Sequence, residues 1–137
     1  MIKLVIYGEP IAQGRPKFST QGGFVRAYDP AKSRSYKDYV RIAAVEQIAG
    51  QKPLEGALSL AVKVFRPIPK SFSRKKIIEA EQGLIRPITK PDLDNYIKGI
   101  KDALKGICWR DDSQVVTMDA EKYYSEIPRV EIFINAY

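Results

Sequence analysis

Between residues 92 and 106 the apolar side chains Leu93, Tyr96, Ile97, Ile100, Ala103 and Leu104 return every three or four residues. That spacing lays one apolar stripe along a helix, and Gly106 falls where a left-handed C-terminal cap belongs. On either side of this helix the period drops to two. Ile2, Leu4 and Ile6 alternate with Lys3, Val5 and Tyr7, and Leu58, Leu60, Val62 and Val64 alternate with Ser59 and Lys63. Val116, Met118 and Ala120, then Val130, Ile132 and Ile134 beyond a turn at 125–128, complete four strands. Asp29-Pro30 reads as the N-cap and first turn of another helix, running to Ala49 and stopped by Gly50, with Tyr36, Tyr39, Val40, Ala43 and Ile48 toward the core. A short basic helix is expected over Ser73–Gln82, ended by Gly83. Residues 11–28, rich in glycine and proline, suit a loop or short hairpin with its turn at Gln21-Gly22-Gly23. The order is β, loop, α, β, basic excursion, α, β-hairpin. It predicts an α+β fold: a single domain over residues 1–137 with a mixed β-sheet packed against helices.

Composition then narrows the chemistry. The chain has no histidine and one cysteine, Cys108, which excludes nearly every zinc site and every histidine-based triad. Hydrolytic chemistry would have to run on carboxylates, lysine or a metal held by oxygen. Cys108 is expected to be a small buried apolar residue, and a lone thiol fits a reducing cytoplasm. No apolar run approaches the roughly 20 residues that span a bilayer, and the first residues lack a signal-peptide pattern, so no membrane partner is expected.

The net charge of +7 is unevenly spread: residues 1–50 carry 8 basic and 4 acidic groups, residues 51–90 carry 9 and 3, and residues 91–137 carry 6 and 9. A basic chain suggests a polyanion such as nucleic acid, whereas the acidic reversal would repel phosphate unless something neutralised it. Six of the eight aspartates lie between residues 92 and 119. Asp92 and Asp94 can converge because Asp92, after Pro91, sits outside the helical turn. Asp111 and Asp112 can join them only if residues 107–112 run back along the helix. Two carboxylates about 4 Å apart repel by roughly 4 kcal/mol at an effective dielectric of 20, and a hard divalent cation removes that cost. Taken singly, each motif has a plainer explanation. Asp92 is an ordinary N-cap, Asp94–Lys98 and Lys98–Asp102 are helix ion pairs, and Asp-Asp is a common turn.

The string Lys90-Pro91-Asp92-Leu93-Asp94-Asn95-Tyr96-Ile97-Lys98, followed by Asp102-Ala103-Leu104 and Trp109-Arg110-Asp111-Asp112-Ser113-Gln114-Val115-Val116, resembles the RusA-type Holliday junction resolvases. Gly14-Arg15-Pro16-Lys17-Phe18 is similar to a further stretch of some members. The resemblance implies a homodimeric, Mg²⁺-dependent endonuclease (Mn²⁺ as a substitute) making paired cuts in four-way junction DNA, often encoded by a phage or prophage. It implies Asp92, Asp94 and Asp112 as catalytic metal ligands, Asp111 as a weaker contributor to the metal, and Lys98 as the catalytic lysine. A two-fold junction and one acidic cluster per chain independently suit a C2 dimer.

Expected DNA contacts are Arg15, Lys17, Arg26, Lys70, Arg74, Lys75, Lys76 and Lys90, with Phe18 or Phe72 as base-stacking contacts. The plainer expectation for Phe18, Phe72 and Trp109 is that they anchor core or loops. Two rival functions stand beside the resolvase: a nucleic-acid-binding protein whose aspartates only cap helices and hold a structural ion, and a nuclease selective for flaps or forks.

Overall fold

A computed structural model describes residues 1–14 and 31–137, together with the backbone of 17–19 and 26–28. The elements are β1 (Ile2–Tyr7), β2 (Lys17–Ser19), β3 (Arg26–Tyr28), α1 (Ala31–Ile48), β4 (Leu58–Pro67), α2 (Arg74–Glu81), α3 (Leu93–Leu104), β5 (Val115–Ser125) and β6 (Arg129–Ala136). Strands β2 and β3 pair as a small antiparallel ribbon, as the hairpin expectation has it. The expected turn at Gln21–Gly23 and the helix start at Asp29-Pro30 lie outside the described residues.

The main sheet has the order β1-β6-β4-β5, with β5 parallel to β4 and the other neighbours antiparallel. It is mixed, as expected, but β5 and β6 do not form a hairpin. The link 126–128 carries the chain past the end of β4, so that β6 pairs with β1 and β4 instead. The cause lies in β4, where Leu58, Leu60, Val62 and Val64 are all fully buried. A strand so apolar is most stable at the centre of a sheet, with a neighbour on each side.

Leu4, Ile6, Val130, Ile132, Ile134 and the four β4 residues share one sheet face, against which α1 packs Val40 and Ala44 and α3 packs Tyr96, Ile97, Ile100, Ala103 and Leu104. Each large aliphatic so buried contributes about 1.5–3 kcal/mol of transfer free energy. Within α1 the buried stripe runs through Val40 and Ala44, one turn apart, while Tyr36, Ala43 and Ile48 are half-buried against it. Tyr39 does not face the core. One residue off the stripe, it is rotated about 100° away; it stays 47% exposed and donates its hydroxyl to the Tyr7 carbonyl at 2.7 Å.

The Gln47 amide also reaches from α1 to the sheet, accepting from Val5 N–H and donating to Val5 O, which blunts the outer edge of β1. Helix α2 is capped by Ser73, whose hydroxyl accepts from Lys76 N–H, and by Gln82 at its other end, close to the expected bounds. Cys108 is buried as expected, and burial pushes its thiol up to about 11.

Candidate active site

The site is built at the start of α3 and on the turn that follows the helix. Before α3, the Thr89 carbonyl accepts from Arg66, and the Lys122 ammonium donates to Thr89 O and Pro91 O, both at 3.2 Å. Two cations from β4 and β5 thus fix the backbone that delivers Asp92. Asp92 is the N-cap residue by position, extended at φ −66° and ψ 147°, yet its carboxylate makes no capping hydrogen bond. The plain N-cap explanation therefore does not account for its side chain. Asp92 stands exposed in a depression of about 340 Å³ with Lys90, Pro91 and Asn95.

Asp94, Ile97, Lys98, Lys101 and Asp102 recur at helical spacing and form one wall of a second cavity of about 280 Å³, which Asp92 does not line. Asp112 and Met118 line its other side. The chain after α3 returns far enough to bring Asp112 to the cavity of Asp94, whereas Asp92 lines the separate depression and Asp111 lines neither, so the four aspartates do not gather at one point. Among the described residues Lys98 enters no ion pair, so neither Asp94–Lys98 nor Lys98–Asp102 explains it. Asp102 turns instead to the buried Lys37 of α1, at 3.3 Å.

The two adjacent aspartates part company. The indole of Trp109, fully buried in the core, donates from Nε1 to Asp112 Oδ1 at 2.8 Å and aims that carboxylate at the cavity. Asp111 is exposed, accepts from the Ser113 hydroxyl and pairs with Lys105 at 3.6 Å. Those partners, Ser113 foremost, hold its carboxyl below the usual value of 3.8. Gln114 locks the turn. Its side-chain oxygen accepts from Arg110 and Asp111 N–H, and its amide donates to Leu54 and Gly56 carbonyls at 2.9 and 3.0 Å.

Of the expected DNA contacts, Lys70, Arg74, Lys75, Lys76 and Lys90 are exposed around α2 and the approach to α3, with Lys75 paired to Glu79 at 4.0 Å. Phe72 packs edge-on against Tyr124 and under Lys76, the anchoring role rather than a free stacking face. The side chains of Arg15, Lys17, Phe18 and Arg26 lie outside the described residues. Lys122, Lys101, Lys37 and the polar duty of Trp109 are not among the residues that the sequence singles out. Only the last carried a signal, because a buried indole N–H needs an acceptor.

The family model described as Endodeoxyribonuclease RusA matches residues 7–135. The chain belongs to the RusA endodeoxyribonuclease family. It is also 53% identical over 136 residues to Uncharacterized protein YqaN of Bacillus subtilis (strain 168), covering 98% of this chain and 95% of that protein. The RusA match takes in nearly the whole chain, the α3 wall and the Asp112 turn included. Among the described residues no helix is long and apolar enough to cross a membrane.

Divalent metals suit RusA nucleases, and the donors here can be tested for fit. Among the described residues no three acidic, cysteine or histidine side chains stand together as a metal-holding group. Three carboxylates, Asp94, Asp102 and Asp112, line one cavity, and with Asp102 paired to Lys37 the two left for an ion are Asp94 and Asp112. Mg²⁺ keeps much of its water and takes one or two carboxylates plus substrate phosphate, whereas Ca²⁺ asks for six to eight oxygens. The residues present fit the first kind of ion.

Proposed function

We propose that this chain is a metal-dependent endonuclease of four-way DNA junctions, and that Asp94, Asp112 and Lys98 carry the reaction, with Asp92 as a further ligand. The observation that carries this reading is that Asp94, Asp102, Lys98 and Lys101 of α3 and Asp112 of the following turn line one cavity, with Asp102 answered by Lys37 and no ion pair neutralising Lys98 among the described residues. Asp94 and Asp112 would hold Mg²⁺ (Mn²⁺ as a substitute), with Asp92 reaching in from the neighbouring depression. When bound, such an ion polarises a phosphodiester and lowers the pKa of water.

The chain's own residues do the rest. Lys98 places a positive charge where negative charge grows on the phosphate, and Ile97 and Met118 give the cavity an apolar lining that strengthens that interaction. Trp109 holds Asp112 in one orientation, so no rotamer search precedes the reaction. Asp111, engaged by Ser113 and Lys105, is assigned to the turn and not to the metal. One cavity per chain makes one cut, so paired cuts call for a homodimer around the two-fold of a junction.

The test is cleavage of a mobile four-way junction beside matched three-way, flap and duplex substrates, each with Mg²⁺ and with EDTA. Paired symmetrical nicks in the junction alone, abolished by EDTA, are expected. Equal rates on all branched substrates would support the flap or fork nuclease instead, and tight binding without cleavage would leave only a binding protein.

A further inference from the structure

Between Lys32 and Arg41, α1 carries four basic residues, Lys32, Arg34, Lys37 and Arg41, against one acid, Asp38. None of these lies in the Lys90–Val116 or Gly14–Phe18 strings quoted above. Their placement follows the site. Lys32 lines a depression of about 330 Å³ with Glu9, Arg66, Pro91 and Asn95, and this adjoins the depression holding Asp92 through the shared Pro91 and Asn95. Arg34, Lys37 and Arg41 line another of about 270 Å³. It meets the site through Lys37 and Arg41, which contact the side chain and carbonyl of Asp102 on the cavity wall. The basic stretch of α1 from Lys32 to Arg41 therefore runs beside α3 from the Asp92 end to the Asp102 end.

The four cations have divided duties. Lys37 is buried against Asp102, and Arg41 is tied to Asp38 at 3.2 Å and to the Asp102 carbonyl. These two bind α1 to the site helix. Lys32 and Arg34 are exposed and, among the described residues, enter no ion pair. Two unpaired cations on a rigid helix, held against the wall of a phosphodiester-cutting site, suit the backbone of a DNA strand leaving that site.

We infer that the exposed face of α1 at Lys32 and Arg34 is a sequence-independent phosphate track for a duplex arm of the DNA. The inference rests on the nuclease reading above for the position of the scissile strand, but its test does not need cleavage.

Binding of a four-way junction and of plain duplex is measured in EDTA across a salt series for the parent chain, Lys32→Ala, Arg34→Ala, the double variant and Arg34→Lys. Lys3→Ala, a charge-matched change at an exposed β1 residue whose ammonium lies over Phe133, is the control. Each lost phosphate contact should reduce the log–log salt slope by about 0.9, roughly an eightfold loss of affinity at 0.1 M salt. Arg34→Lys should restore most of the affinity, since a point charge suffices. The result that overturns the inference is a slope and affinity for both single variants equal to those of Lys3→Ala, and so is a parent chain that binds neither DNA. If the parent binds and the α1 variants lose their contacts yet no junction is cut with Mg²⁺, the phosphate track stands and the nuclease reading falls.

Discussion

The two faces of the sheet treat charge in opposite ways. On the face turned away from α1 and α3, aromatic rings and neighbouring acids satisfy the cations. Arg129 lies over Phe65 and pairs with Glu131 at 2.8 Å, and Arg86 lies over Tyr123 and pairs with Glu121 at 3.1 Å. Lys3 and Lys63 both approach the Phe133 ring. On the helix side, around the start of α3, Asp92 lacks its capping bond and Lys98 has no ion pair among the described residues. Charge answered within the fold stabilises it. Charge held in place but left unanswered at a cavity is available to a ligand, and this separates the candidate site from an otherwise equally polar surface.

That contrast can be broken or sharpened by substitution. The largest effect is expected from Asp94→Asn, which should slow junction cleavage roughly 10²–10³-fold, the equivalent of several kcal/mol of lost charge stabilisation. Arg86→Ala on the opposite face should leave the rate within about twofold. Rates measured side by side with saturating Mg²⁺ check both, and equal losses would erase the distinction between the faces. Trp109→Phe keeps most of the buried ring but removes the donor to Asp112. A hydrogen bond to a charged group is worth about 1.5–3 kcal/mol, so a loss of roughly 10–100-fold in rate is expected. Its signature is a higher Mg²⁺ concentration for half-maximal rate with junction binding in EDTA unchanged.

Lys37→Ala should act on stability. It removes the buried partner of Asp102, whose own carboxylate reaches solvent, so about 2 kcal/mol is expected by urea unfolding, below the 3–5 kcal/mol of fully buried pairs. The smallest effect belongs to Ser113→Ala. Because Ser113 holds the Asp111 carboxyl below 3.8, that interaction stabilises the fold above the ordinary carboxylate range and is lost as pH falls through the lowered value. The variant should lose part of the acid-side dependence of unfolding below about pH 4 and keep its cleavage rate.

Much of this arrangement was legible in the residues. Alternation at Leu58–Val64 and helical spacing at Leu93–Leu104 reported their elements directly, because one buried face imposes the period. Strand order did not follow, since a short turn at 126–128 suits a hairpin as well as a crossing over β4. The aspartates were visible as a cluster, but the division between Asp111 and Asp112 depends on which way the turn faces. That is decided by Trp109 entering the core and by Gln114 reaching to Leu54 and Gly56, some 60 residues away in the chain. Lys37–Asp102 was hidden for the same reason: nothing local announces a contact between α1 and α3.

The division within that pair is also the most direct test. Asp111→Asn and Asp112→Asn change neighbouring residues in the same way, on the same turn, with the same loss of charge. Cleavage of a mobile four-way junction in Mg²⁺ should be nearly abolished in Asp112→Asn and retained within a few-fold in Asp111→Asn, with junction binding in EDTA intact in both. Loss in Asp111→Asn with activity kept in Asp112→Asn, or equal activity in the two, would contradict the assignment of the cavity as the active site.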